Sequence, residues 1–406
     1  MISIYLYAEK YMRVKGTMAE TKQISRLQHI PGIGVNLVGD KADALQDPEV
    51  LRLENLDTDI LPPSIALEVT RHSIGLDENN SYLPFFGHES IRQAAANHVS
   101  RMSGVEYEWQ SQCIVSAGGL SGILNSLLAL CEKGDEVIVT DPTYAGLINR
   151  IYIAGGVPVY VPLVPSADGW RLDVEELKAA VTEKTKLMLL MSPSMPSGHV
   201  LSEAEWHTVA DICIKKDLWL LYDAAMERIT YDNRRVIHPA SIKGMSERTI
   251  TVGSASKELR MIGWRVGWVV GPPTIMNDIG LVSLSNVVCQ VGIAMPAVAA
   301  ALSTNEDGIA GAVTEWEKRR DVLLHELDGL PVVPPHGGWS LLLETRSLGF
   351  TPQKASEVLL QRAKIAATPM NGWGNLASNY IRFVFSNEPT ERLVGIGKKV
   401  RGTLGL

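Results

Sequence analysis

Between about residues 110 and 270, short apolar runs rich in β-branched residues alternate with longer segments of helical period. The runs "CIVS" (113–116), "EVIVT" (136–140), "VPVYVP" (157–162), "KLMLLM" (186–191), "LWLLYD" (218–223), "TITVG" (249–253) and "VGWVVG" (266–271) have the length and composition of strands. The segment "LSGILNSLLALCEKG" instead sets Leu120, Ile123, Leu124, Leu127 and Leu128 on one helical stripe, with a stop at Gly134. Patterns of the same period cover 203–216 and 314–328. Such alternation predicts an α/β layer on a mostly parallel, seven-stranded sheet.

Beyond residue 315 the pattern changes. "GWSLLLE" and "YIRFVFS" read as strands of a second, smaller α+β unit that closes with a helix after Pro389. The expected division is an N-terminal segment (1–60) contributing to the small unit, a large domain over 61–315 and the small domain over 316–406. With 406 residues, 46% hydrophobic and 20% charged, the chain can bury a large core, and a net charge of -7 argues against nucleic acid or an acidic membrane as partner. Cys113, Cys131, Cys213 and Cys289 are widely spaced, with no CxxC pair, and no HExxH occurs among the histidines. Reduced thiols, no metal and a cytoplasmic location are expected. The opening "MISIYLYAEKYMRVKG" is broken by Glu9 and Lys10 before it is long enough to span a bilayer, and either Met1 or Met18 suits as the start.

Ligands of open α/β sheets gather at the carboxyl ends of strands. There, "SAGGLSG" (116–122) turns from strand to helix, and its free amides suit a phosphate as well as they suit a plain tight turn. "DPTYAG" (141–146) sets Tyr144 where an aromatic face stacks on a flat ring or merely packs, and "LLYDAAMER" ends a strand on Asp223, also a natural helix cap. "SPSMPSG" (192–198) is a proline-set loop. "NYIRFVFS" carries Arg382 in an apolar strand, an unfavourable place for a free charge. Finally, "GSASKELRMIGWRVGW" (253–268) sets Lys257 behind two serines, with Arg265 eight positions on between Gly263 and Gly267. Alone, a loop lysine is a solvated surface charge.

Together, and in this order from "YLPFFGHESIR" (82–92) to Arg382, these pieces resemble the pyridoxal-phosphate enzymes of fold type I, in the class I/II aminotransferase group. The resemblance covers nearly the whole chain. It implies pyridoxal 5′-phosphate held as a Schiff base on Lys257, with Arg265, Ser254, Ser256 and the amides of Gly119 and Leu120 on its phosphate. It also implies Asp223 on the pyridine nitrogen, Tyr144 on the ring face and Arg382 on the substrate α-carboxylate. Tyr82 matches a tyrosine that reaches the neighbouring subunit's phosphate, which implies a homodimer with shared active sites. A Schiff-base lysine must shed a proton, and desolvation and nearby positive charge lower an ammonium's pKa from its usual ~10.4.

Against the family pattern, Met195 stands where an asparagine donates to the cofactor's phenolic oxygen, and Met226 where a tyrosine does. Asn55, placed by the Pro62-Pro63 pair, replaces a glycine near the substrate carboxylate. Trp339, in "HGGWSLLL", is a substrate-pocket or a core residue. With no second arginine placed for a distal carboxylate, the expected reaction transfers the amino group of a neutral or aromatic α-amino acid to a 2-oxo acid. The rivals are β-elimination, γ-substitution or oxidase chemistry on the same cofactor. A cofactor-binding regulator lacks its basic helix-turn-helix before residue 60, and a dehydrogenase lacks the third glycine in "GIGVNLVG" (32–39).

Thioethers donate no hydrogen bond, so the cofactor imine is expected to hold its proton to higher pH than with the usual donors. In the Met195→Asn/Met226→Tyr variant the pH titration of cofactor absorbance should shift to lower pH. The alternative is that Ser192, Ser194 or an ordered water supplies the missing bond, and an unmoved midpoint would remove both methionines from imine tuning.

Overall fold

Apolar runs buried on both faces make parallel strands, and all seven expected ones form in the computed structural model. Residues 25–30 and 34–406 are described. The readings on "MISIYLYAEKYMRVKG", Met1, Met18 and the first residues of "GIGVNLVG" therefore lie outside the described residues. In chain order the strands are β1 (Leu51–Arg52), β2 (Cys113–Ser116), β3 (Glu136–Asp141), β4 (Val157–Ser166), β5 (Gly169–Leu172), β6 (Thr185–Met191) and β7 (Trp219–Asp223). They continue as β8 (Thr249–Ser254), β9 (Gly267–Val270), β10 (Val332–Val333), β11 (Ser340–Glu344), β12 (Ile365–Ala366), β13 (Thr368–Pro369) and β14 (Tyr380–Val384).

The wide sheet has the order β2-β9-β8-β7-β6-β3-β4-β5. Its eighth strand, β5, turns back on β4 as an antiparallel edge. Pattern reading passed over it because "GWRL" is only four residues long and follows a turn. β3, β4, β6, β7 and β8 run parallel, so β3, β6, β7 and β8 end on one side at Asp141, Met191, Asp223 and Ser254. β9 is antiparallel to β8, and the connection between them, 255–266, carries both Lys257 and Arg265.

The helix after β2 spans Gly119–Leu130 and buries Ile123 and Leu127 as its periodicity requires. Leu128 is 41% exposed, so it falls off the expected stripe. The helix ends before Gly134, which occupies a left-handed turn at φ +96°.

A second sheet, β10-β11-β14-β13, centres on β14, where Arg382 lies between Leu342 and Thr368. The N-terminal segment is stitched to this half: β1 pairs with β12, and the Val384 N–H donates to Leu53 O at 2.8 Å. Farther along, Asp59 accepts two bonds from buried Arg319, at 2.7 and 3.1 Å. One apolar cluster continues from Ile138 and Leu190 to Leu341 and Phe383, joining the two sheets. Among the described residues no helix is long and apolar enough to cross a membrane.

Candidate active site

The strand ends and β14 together line a cavity of ≈ 290 Å³. At one end the backbone comes unusually close to itself. A Cβ on Gly267 would stand 2.6 Å from Gly118 C and 2.7 Å from Gly119 N, and one on Gly118 (φ +79°) 2.6 Å from Arg265 Nη2. Only glycine permits this approach. It brings the first turn of the Gly119–Leu130 helix, whose leading amides have no intrahelical acceptor, against Ser254, Ser256 and Arg265. Ser254 Oγ donates to Ser256 Oγ at 3.0 Å, and Arg265 Nη1 donates to the same oxygen at 3.3 Å and to Ile262 O at 2.8 Å. Amides, hydroxyls and a guanidinium around one concavity form an oxyanion cradle.

Lys257 projects into the cavity beyond this cradle. Its ammonium donates to Leu56 O at 2.9 Å and sits 4.8 Å from the centre of the Trp339 ring. Burial brings its pKa down to about 7; Asp57 opposes the shift, while Arg382 and Arg265 add to it. Asp223 closes β7 with its carboxyl facing the cavity, and Oδ1 accepts the Ala225 N–H at 3.1 Å. Burial pushes its pKa up to about 6, against the pull of that N–H and of Arg150. The same residue that a strand-end capping pattern suggests is therefore also a buried acid at the cavity wall.

Tyr144 leads into the helix Ala145–Ala154 with its ring on the cavity, and a Cβ on Gly146 would meet that ring at 2.5 Å. Arg382, 1% exposed, donates from Nη2 to Glu54 O at 2.6 Å and from Nη1 to Met195 Sδ at 3.8 Å, while its Nε has no partner. Its guanidinium carbon lies 4.8 Å from the Trp373 ring centre. Burial lowers its pKa to about 10.

The structure thus gathers Gly119, Leu120, Tyr144, Met195, Asp223, Met226, Ser254, Ser256, Lys257, Arg265, Arg382 and Asn55 around one cavity. Ser192 and Ser194 do not line it, and the Ser192 hydroxyl already accepts the Leu201 N–H at 3.0 Å. Tyr82 is 85% exposed and lies off this wall. Trp339 does not line the cavity either. It is 1% exposed and packs edge-on against Trp316 at 5.0 Å, as a core residue beneath the ammonium. Val35, Asn36, Leu56, Met191, Ala225, Ile262 and Trp373 complete the lining without having been singled out in the sequence. Of these only Trp373 left a trace, as a bulky ring between two glycines in "NGWGN".

An oxyanion cradle, a buried acid across the cavity and an amine able to lose its proton near neutrality suit a phosphorylated aldehyde with a ring nitrogen. On the fold type I architecture these features define a pyridoxal 5′-phosphate-dependent aminotransferase. Residues 54–395 match the family Aminotransferase class I and II, and the chain belongs to that family. It is 32% identical over 309 residues to an aspartate aminotransferase of Pyrococcus abyssi, covering 75% of this chain and 79% of that one. It is 29% identical over 309 residues to aromatic-amino-acid aminotransferase 2 of Thermococcus litoralis, with the same coverage of 75% and 79%. The crystal structure of Pyrococcus protein-A1 superposes with a TM-score of 0.89 at 29% identity, covering 94% of this chain and 98% of that one.

The depressed Lys257 pKa makes a prediction for the cofactor-free protein. Between pH about 7 and 10.5 the unfolded chain binds the proton that the folded chain has released, so this residue makes stability rise with pH across that window. Lys257→Met should flatten that rise and be the more stable protein at neutral pH. Thermal midpoints of both proteins across the window check this, and parallel curves would show that Lys257 titrates as a solvated lysine.

Proposed function

We propose that this enzyme transfers the amino group of a neutral or aromatic α-amino acid to a 2-oxo acid, with Lys257 as the amine that links to the cofactor. The observation that carries the reading is the charge inventory of the cavity. Lys257, Asp223, Arg265 and Arg382 are its only charged lining residues among those described, and each has a task in the reaction. Val35, Leu56, Ile262, Met195, Met226 and Trp373 supply apolar wall, with no cation left over for a second substrate carboxylate.

Bound pyridoxal phosphate supplies an aldehyde that condenses with amines and a ring that draws electrons from the carbon beside the nitrogen. The chain's own residues do the rest. Gly119, Leu120, Ser254, Ser256 and Arg265 hold the phosphate. Asp223, ionised above its pKa of about 6, keeps the ring nitrogen protonated. Tyr144 lies along the ring face. Arg382 presents a planar fork without a carboxylate partner of its own, and so receives the α-carboxylate, beside Asn55. Lys257 is neutral for a substantial fraction of the time near pH 7, so it could take the proton from the substrate Cα and return it to the former aldehyde carbon of the cofactor, on the other side of the nitrogen.

The same reading assigns residues 61–315 to the cofactor-binding domain and 316–406, joined by the N-terminal segment, to the small domain. The β1–β12 pairing supports this division. A homodimer with Tyr82 reaching the partner's phosphate is supported by the exposure of the Tyr82 ring at 85% and of Phe85, three residues on, at 50%. A cytoplasmic setting is supported by four unpaired cysteines.

Incubation of the purified enzyme with neutral, aromatic and acidic amino acids and a 2-oxo acid should give paired keto-acid and amino-acid products from the first two classes. Release of ammonia would make it a lyase instead. Lys257→Ala should abolish turnover while the protein still binds the cofactor, and wild-type rates would remove Lys257 from the mechanism. Arg382→Ala should lower kcat/KM for α-amino acids roughly 10- to 100-fold, the value of about 1.5–3 kcal/mol in charge-assisted bonds. Amines without a carboxylate should be spared, and an equal loss for both would refute the assignment.

A further inference from the structure

Trp373 supports the face of the Arg382 guanidinium, yet it rides on a loop rather than on a strand or helix. Its neighbours Gly372 (φ +85°) and Gly374 (φ +120°) both occupy left-handed backbone, which gives the loop no intrinsic preference for this shape. The loop is held from outside by the end of β3. Asp141 Oδ2 accepts the Asn375 N–H at 2.9 Å, its two oxygens accept the Leu376 N–H at 3.1 and 3.0 Å, and the Thr143 N–H donates to Trp373 O at 2.9 Å. A Cβ on Gly374 would stand 2.1 Å from Asp141 Oδ1, so the loop closes on the carboxylate as tightly as glycine allows.

Asp141 is 3% exposed, and its bonds run to backbone N–H groups rather than to a cation. Burial raises its pKa, while the Leu376, Asn375 and Ala377 N–H groups hold it down. A buried carboxylate is costly unless its bonds repay it. What these bonds achieve is placement: the Trp373 ring lies 4.8 Å from Arg382 and 5.3 Å from the Tyr144 ring, itself three residues after Asp141. One acid thus braces the loop that carries the indole flanking the guanidinium.

We propose that Asp141 is a positioning residue for amino-acid binding, acting through the 373–376 backbone to seat Trp373 against Arg382. The inference rests on Arg382 receiving the α-carboxylate. Asp141 touches neither the cofactor cradle nor Lys257. Its loss should therefore raise KM for carboxylate-bearing substrates and leave kcat and cofactor retention in place.

The test uses the holoenzyme, an α-amino acid and the matching amine without a carboxylate. Asp141→Asn keeps the shape but loses the charge and one acceptor. It should raise KM for the amino acid roughly 10-fold, the scale of one charge-assisted bond, with kcat within about 2-fold and the amine unaffected. Gly374→Ala pushes on the same contact from the loop side and should reproduce that pattern. In Asp141→Asn/Arg382→Ala the Asp141 effect should disappear, because the two act in series. The proposal is overturned if Asp141→Asn impairs both substrates equally, if it loses cofactor absorbance, or if its effect persists undiminished without Arg382. Arg382→Ala alone tells the two readings apart. If it discriminates between the substrates and Asp141→Asn does not, only the positioning role fails; if it does not discriminate, the carboxylate site itself is misplaced.

Discussion

Three cations share one small cavity, and each is tethered to a backbone carbonyl rather than to a carboxylate. Lys257 donates to Leu56 O, Arg265 to Ile262 O and Arg382 to Glu54 O. A carbonyl fixes a donor's position without cancelling its charge. With Asp223 as the one acid on the wall among the described residues, the cavity is left positive and suited to a ligand pair that brings its own anions, a phosphate and a carboxylate. Had any of the three been paired with a glutamate, that attraction would have been spent inside the protein. Two of the three carbonyls belong to residues 54–56, so the N-terminal segment sets this balance although it belongs to neither central strand order.

Burial is what chiefly moves Lys257, lowering its pKa, and repulsion from the other two cations, Arg382 and Arg265, adds to it while Asp57 resists. The residues proposed to receive the ligands' anions therefore also contribute to preparing the amine. Once those anions are bound the field reverses, and ligand binding and proton affinity at Nζ become linked quantities.

Much of this was legible in the chain itself, and the parts that were not share a cause. Six of the seven strands stood out because both their faces are buried, which writes them as apolar runs, and β4, partly exposed, stood out by its β-branched residues; β5 did not, since an edge of four residues needs no such run. Arg382 was visible because a charge within an apolar strand is unfavourable, whereas Lys257, Arg265 and Asp223 each have an ordinary surface or capping role and stood out only in the ordered set of motifs that resembles the family. Trp339 and Trp373 show the limit. Both are tryptophans beside glycine in the C-terminal part, and only the course of the chain decides that one lies under the lysine as core while the other walls the cavity. Val35 and Asn36 carry no local mark, since their place depends on where the helix Val35–Leu45 comes to rest.

The reversal of β9 has a mechanical side. Because Lys257 and Arg265 occupy a single short connection between hydrogen-bonded neighbours, the spacing between the proposed linking amine and the proposed phosphate anchor is locked by local backbone and cannot be altered by any shift of one sheet against the other. Arg382 has no such lock, since it rides on β14 in the other sheet. On the proposed reading, an amino acid gripped by Arg382 at one end and joined to the cofactor at the other would be a strut across the seam, so the reactant itself would stiffen the joint between the two halves of the enzyme.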